Sequence, residues 1–131
     1  MLDVKALLTK ICESIKSIKP VRTFSYKSNY NSTTANVMRY TGVSFTIPAN
    51  SYFVISARAT YASAKPLNVA INVSSTDANA NMATGAYSDV MCTCSFASYT
   101  SNAITFYVWA KYATASATAG TIYIDGWYIK Q

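Results

Sequence analysis

The side chains that most often perform catalysis or hold metal ions are scarce in this chain. Its 131 residues include no histidine, five carboxylates and three cysteines. Without histidine, the usual Ser-His-Asp and Cys-His arrangements cannot form, and most zinc sites lose a common ligand. The remaining candidates for chemistry are Asp77 with Asp89, and Cys92 with Cys94.

Asp77 and Asp89 flank a segment that is rich in small and polar residues. A glycosidase needs two carboxylates on either side of the bond to be cleaved, so a polysaccharide-degrading enzyme is one alternative. Aspartates in loops more often stabilise turns. We therefore predict no catalytic residues, no cofactor and a protein that is not an enzyme.

Cys92 and Cys94 lie two residues apart in an alternating segment, on one face of a predicted strand. Zinc sites favour two intervening residues and further ligands. Cysteines at this spacing in a strand also diverge too far for an unstrained disulfide. We predict small buried core residues and no metal. The odd number of cysteines, Cys12, Cys92 and Cys94, predicts reduced, buried thiols. No signal peptide is expected, because Asp3 and the lysines interrupt the first apolar stretch.

The net charge of +6 is concentrated at the start of the chain. Residues 1–27 contain six lysines and arginines and two carboxylates, which accounts for four of the six charges. These cations are spaced along a predicted helix and do not cluster as in a groove-binding element, so we predict no nucleic-acid partner. No apolar run approaches the roughly 20 residues that span a bilayer, so we predict no membrane insertion.

From residue 21 onward, alternating segments bounded by turn residues predict seven or more strands. The predicted strands are VRTFSYKS, VSFTI, SYFVISARATY, LNVAINVS, SDVMCTCSFASY, AITFYVWAKYATA and GTIYIDGWYIK. The segments 30–36 and 75–85 are predicted as polar loops. This pattern predicts a mainly β protein, a jelly-roll-like antiparallel sandwich over residues 21–131 preceded by one short helix over residues 1–20.

The first 20 residues predict one helix that ends at Pro20. Asp3 is placed to cap its first turn, with Leu2 and Leu7 as a hydrophobic staple. Six apolar residues recur at spacings of three and four, the heptad pattern of a coiled coil. They are Met1, Val4, Leu8, Ile11, Ile15 and Ile18. Isoleucine at both core positions favours three strands, so we predict a trimeric coiled coil. The alternative is a helix that packs on its own sheet.

The last two predicted strands carry aromatic residues on the face opposite their aliphatic face. Tyrosine and tryptophan are enriched at protein interfaces, so we predict that this face joins the heptad residues in a trimer interface. The aromatic residues are Tyr107, Trp109, Tyr123 and Trp127. The alternative is a flat aromatic platform on which sugar rings stack.

The stretches ALLTKI, IPANSY, YVWAKYA and GWYIK resemble the head or tip domains of bacteriophage tail-fibre and receptor-binding proteins. The resemblance covers nearly the whole chain. It implies a trimeric jelly roll of the tumour-necrosis-factor or C1q type, at the end of a short coiled coil. It also implies location in the virion, other tail proteins as partners, and recognition of a cell-surface glycan or protein.

The resemblance identifies no binding residues, so loop length and polarity are the guide. They place candidate contacts around two segments, at Asn29, Tyr30, Asn31, Asn79 and Asn81. Three weak sites on a homotrimer would then act together through avidity. The alternatives are a purely structural virion decoration protein and a monomeric carbohydrate-binding module of a bacterial protein.

Overall fold

The computed structural model describes residues 3–17 and 19–131, except for the side chain of Ile15. Within these residues one helix is followed by eight strands. They are α1 (Val4–Ser17), β1 (Val21–Ser32), β2 (Arg39–Ile47), β3 (Ser51–Thr60), β4 (Pro66–Asn72), β5 (Asn81–Ser88), β6 (Met91–Thr100), β7 (Ile104–Tyr112) and β8 (Ser116–Lys130). The prediction of a mainly β protein with one short N-terminal helix is confirmed.

Asp3 caps α1, as the sequence predicts. The backbone N–H of Ala6 donates to Asp3 Oδ1 at 3.1 Å, which satisfies one of the N–H groups left open in the first turn. The predicted staple partner, Leu2, lies outside the described residues. The chain passes through Pro20, which cannot continue a helix, and enters β1 at Val21. In the described part of the chain, no helix has the length and apolar character needed to cross a membrane.

The strands form an antiparallel sheet in the order β1-β8-β3-β6-β5-β4-β7-β2. The first strand pairs with the eighth, the second with the seventh, the third with the sixth and the fourth with the fifth. This nested pairing is the connectivity of a jelly roll, and it confirms the predicted sandwich class. We call β1-β8-β3-β6 the first sheet and β2-β7-β4-β5 the second sheet.

The two sheets are joined at both sides. On one side, β5 and β6 share two residue pairs, Tyr87 with Cys92 and Ser88 with Met91. On the other side, the ring of Phe24 stacks on that of Phe45 with centroids 3.7 Å apart, so the sheet is nearly closed. Barrel-like closure of this kind reduces the strand edge that is open to unwanted pairing with other chains.

The core lies between the sheets and comes from the inward-facing alternate residues of both. Its larger buried side chains include Phe53, Ile55, Val69, Ile71, Phe106, Val108, Ile122 and Ile124. Cys92 and Cys94 are also buried in it, and burial raises the pKa of each thiol to about 11. Their predicted role as small core residues is confirmed, whereas the prediction of a buried thiol is wrong for Cys12, which is exposed on α1.

Two predicted loops are partly strands. β1 continues to Ser32, so Asn29, Tyr30 and Asn31 lie at its end and not in a loop. Asn29 and Tyr30 pair with Thr121 and Gly120 of β8. The end of β1 has no alternation of apolar and polar residues that would predict a strand, because most of its side chains are exposed to solvent.

β5 occupies much of the segment predicted as a loop over 75–85, so Asn81 begins a strand and only Asn79 remains in a loop. The small residues of β5 resemble the composition of a loop, but at Gly85 the small size is required by packing. A Cβ atom on Gly85 would lie 1.7 Å from the carbonyl oxygen of Thr93, so only glycine fits this crossing of β5 over β6.

Candidate functional site

The heptad face of α1 is exposed in the single chain. Val4, Leu8 and Ile11 are 60%, 55% and 45% exposed, and no described side chain of the helix is buried. A helix that packs on its own sheet would bury these residues, so the structure does not support that alternative. The predicted seam residues Ile15 and Ile18 lie outside the described side chains.

The outer face of the first sheet is apolar at the end next to the helix. Val21 pairs with Ile129 of β8, which in turn pairs with Tyr52 of β3, and Tyr52 pairs with Tyr99 of β6. This gives one row of apolar side chains across four strands. Val21 and Tyr52 are more than half exposed, and the Tyr52 and Tyr99 rings lie 4.8 Å apart.

A second row lies next to the first, with Trp127 of β8 between Thr23 of β1 and Val54 of β3. Trp127 is 37% exposed, which is unusual for so large an apolar ring. We call the two rows together the apolar face. Its members are Val21, Ile129, Tyr52, Tyr99, Trp127 and Val54.

Farther from the helix, the same side of the sheet becomes polar. Asp125 Oδ1 accepts a hydrogen bond from Ser25, and the hydroxyls of Ser56 and Ser95 lie 2.8 Å apart. The Arg58 guanidinium lies 4.0 Å above the centre of the Tyr123 ring, a cation–π contact. The predicted interface residues Tyr123 and Trp127 therefore share one surface.

The other predicted pair, Tyr107 and Trp109, lies on the outer side of the second sheet. β7 pairs with β2 and β4, whereas β8 pairs with β1 and β3, so the outer faces of β7 and β8 point in opposite directions. Trp109 is only 6% exposed, and its indole N–H donates to the carbonyl of Ser74 at 2.8 Å. Because this ring has little surface left for a second subunit, we leave Tyr107 and Trp109 out of the proposed interface.

Trp109 instead forms part of a surface cavity of about 520 Å³, within the range of small-molecule sites. Segments distant in sequence meet there: the end of β1, the start of β2, β7, and the loop after β4. The lining residues are Tyr30, Asn31, Thr33, Arg39, Tyr40, Ser75, Thr76 and Trp109. Two of the predicted contact residues, Tyr30 and Asn31, are thus brought together with Trp109, which the sequence assigned to a trimer interface, and with residues that the sequence did not indicate. Asn29, Asn79 and Asn81 are not among them.

The loop after β4 owes its shape to a buried asparagine. Asn72 is fully buried, and its Nδ2 donates to the carbonyl of Asp77 at 2.8 Å, while its Oδ1 accepts from the N–H of Ser74 at 2.6 Å. These bonds fold the loop back over β7, where Ser74 meets Trp109. Asp77 Oδ1 accepts from the N–H of Asn79 at 2.9 Å, so Asp77 stabilises the turn.

The structure does not bring Asp77 and Asp89 together as a carboxylate pair. Asp77 precedes β5 and Asp89 follows it, and eight residues of strand span about 26 Å. Paired glycosidase carboxylates lie roughly 5–9.5 Å apart. Among residues 3–17 and 19–131, no group of three or more His, Cys, Asp or Glu side chains could hold a metal ion.

No protein-family model matches the chain, and no curated protein matches it either.

Proposed function

We propose that the chain is the homotrimeric head or tip domain of a bacteriophage adhesion protein, which attaches a virion to a glycan or protein on a bacterial surface. The observation that supports this most directly is that two exposed apolar surfaces follow one another along the chain. α1, with its exposed heptad face, ends at Ser17, and β1 begins four residues later at Val21, the first residue of the apolar face.

Both surfaces have the composition of a subunit interface. Exposed aliphatic side chains at heptad positions require partner helices to be stable in water. Tyr52, Tyr99 and Trp127 supply the aromatic residues that are enriched at the centre of protein interfaces. A three-fold axis along the helices would carry the apolar faces towards one another.

The proposal requires three subunits in one particle. The particle mass of the full chain should be about three times the 14.3 kDa of one chain, measured by light scattering coupled to gel filtration. A monomer at all concentrations would overturn the assembly and favour a monomeric carbohydrate-binding module, which the aromatic cavity around Trp109 also suits.

Adhesion needs a separate test. We expect the trimer to bind intact cells or cell-wall preparations of a susceptible bacterium, with competition by purified surface polysaccharide or loss after protease treatment identifying the receptor class. Stable incorporation of the protein into particles, with no binding to any cell surface, would favour a purely structural decoration protein.

A further inference from the structure

We infer that the cavity around Arg39, Tyr40 and Trp109 binds an acidic saccharide, with Arg39 as the group that recognises its carboxylate or phosphate. This inference rests on the proposed adhesive function and names the ligand class and the site. The cavity is built from both sheets and the loop after β4, so the jelly-roll fold itself fixes its shape.

The charge of the cavity favours an anion. Arg39 is the only charged residue among the eight that line it, and no carboxylate is present there. Arg39 is exposed, and its Nη2 donates to Thr34 Oγ1 at 3.5 Å. Burial raises the pKa of the Tyr30 hydroxyl, and the positive charge of Arg39 acts in the opposite direction, so the two groups are close. A guanidinium can bind a carboxylate or phosphate through two parallel hydrogen bonds.

The aromatic side of the cavity favours a sugar ring over a simple ion. Tyr40 packs against Trp109 with centroids 6.3 Å apart, and edge-on against Tyr107 at 5.4 Å. These contacts, with the indole bond to Ser74, hold the rings in place before a ligand arrives. Asn31, together with the hydroxyls of Thr33, Ser75 and Thr76, surrounds them with hydrogen-bonding groups. Trp109 is almost fully buried, so the partly exposed ring of Tyr40 supplies the apolar surface of the cavity. A ring inside a polar rim matches a saccharide, which has apolar ring faces and hydroxyls at its edge.

The position of the cavity suits a receptor site. Tyr30 is nine residues beyond Val21 along β1, about 30 Å from Val21. Arg39 and Trp109 belong to the second sheet, on the side of the sandwich away from the apolar face. A trimer that buries the helix and the apolar face would therefore leave three such cavities open.

The test uses the full chain on an array of saccharides in matched pairs. Each pair consists of one acidic oligosaccharide and its uncharged counterpart. The acidic member carries a uronic acid, a sialic acid, a pyruvyl group or a phosphate. We expect the strongest binders to be acidic, and Arg39→Gln to weaken them about tenfold or more, because hydrogen bonds to charged groups are among the stronger ones. Calorimetry with the best binder should give the affinities.

Arg22→Gln is the matched control, because it removes the same charge near the helix, where Lys19 and Lys130 form another basic groove. We expect it to change the affinity by less than about twofold. Loss of binding in Arg22→Gln and not in Arg39→Gln would overturn the site. Strongest binding to uncharged saccharides, or no binding on the array, would overturn the ligand class.

The same two variants separate this inference from the proposed function. Cell binding that Arg39→Gln leaves unchanged would overturn the site and leave adhesion standing. A wild-type trimer that binds neither cells nor any saccharide would overturn both. An acidic peptide that binds at Arg39 more tightly than every saccharide would replace the proposed ligand class.

Discussion

Placing a charge at Ile11 tests whether the helix holds subunits together. Ile11 is 45% exposed, and Val4 and Leu8 are slightly more so. Burying the exposed half of an aliphatic side chain contributes about 1 kcal/mol, so three such residues in each of three chains contribute about 9 kcal/mol per trimer. Ile11→Asp removes about a third of this and brings three carboxylates into the seam, where each costs several kcal/mol.

The total loss is thus about 10 kcal/mol per trimer, or roughly seven powers of ten in the association constant. The association constant of a trimer varies as the inverse square of the chain concentration at which half of the chains are assembled. This midpoint concentration should therefore rise by about a thousandfold or more. Sedimentation equilibrium over a range of protein concentrations measures this shift. Circular dichroism should show an unchanged β signal, because no described helix side chain is buried against the sheets.

Thr9→Asp is the matched control, because it adds the same charge to the same helix at an outward heptad position. We expect its midpoint to stay within about threefold of the wild-type value. Equal midpoints for Ile11→Asp and Thr9→Asp would refute the reasoning, since the seam would then contribute nothing. A wild-type chain that sediments as a 14.3 kDa monomer would refute it more directly.

Three further outcomes follow from the described side chains. Tyr52→Lys on the apolar face should weaken trimer formation in the same assay by at least about tenfold, and Tyr61→Lys, a tyrosine of similar exposure outside that face, should not. Tyr112→Phe should lower the free energy of unfolding by about 1–3 kcal/mol in urea, because the buried hydroxyl donates to the Thr60 carbonyl at 3.1 Å, whereas Tyr61→Phe should have little effect. Native protein at pH 8 should react rapidly with a thiol reagent at Cys12 alone. Cys12 is exposed, whereas burial raises the pKa of Cys92 and Cys94 to about 11. Rapid reaction of all three thiols would contradict the described core.

The fold class could be predicted because its signals are local. Asp3 before a heptad and Pro20 after it mark the helix, and period-two alternation marks most of the strands. β5 was the exception, because its composition follows from a contact with another strand. Gly85 is small because the backbone of Thr93 in the neighbouring strand β6 lies against it, and a contact between two strands leaves no mark on the alternation within one strand.

The cavity could not be predicted for a related reason. Arg39 and Trp109 are 70 residues apart in sequence, and they meet because β2 pairs with β7 so that Tyr40 lies opposite Trp109. Sequence reasoning could identify Trp109 as an aromatic residue on an outer face. It could not show that the loop after β4 folds over that face, because this depends on the buried side chain of Asn72.

Trimer assembly and ligand binding make one joint prediction, because they depend on different surfaces. The apolar face lies on the outer side of the first sheet around Val21, and the cavity around Arg39 is formed by the far end of β1, the second sheet and the loop after β4. Ile11→Asp should therefore leave the affinity of one cavity for a free acidic saccharide unchanged. It should still weaken attachment to a surface that displays many copies of that saccharide by about 10²–10⁴, which is the usual gain from linked sites. Calorimetry and biolayer interferometry on a coated surface measure the two quantities. Equal weakening in both assays would mean that the helix acts on the site itself, and no weakening in either would mean that a single head is sufficient for attachment.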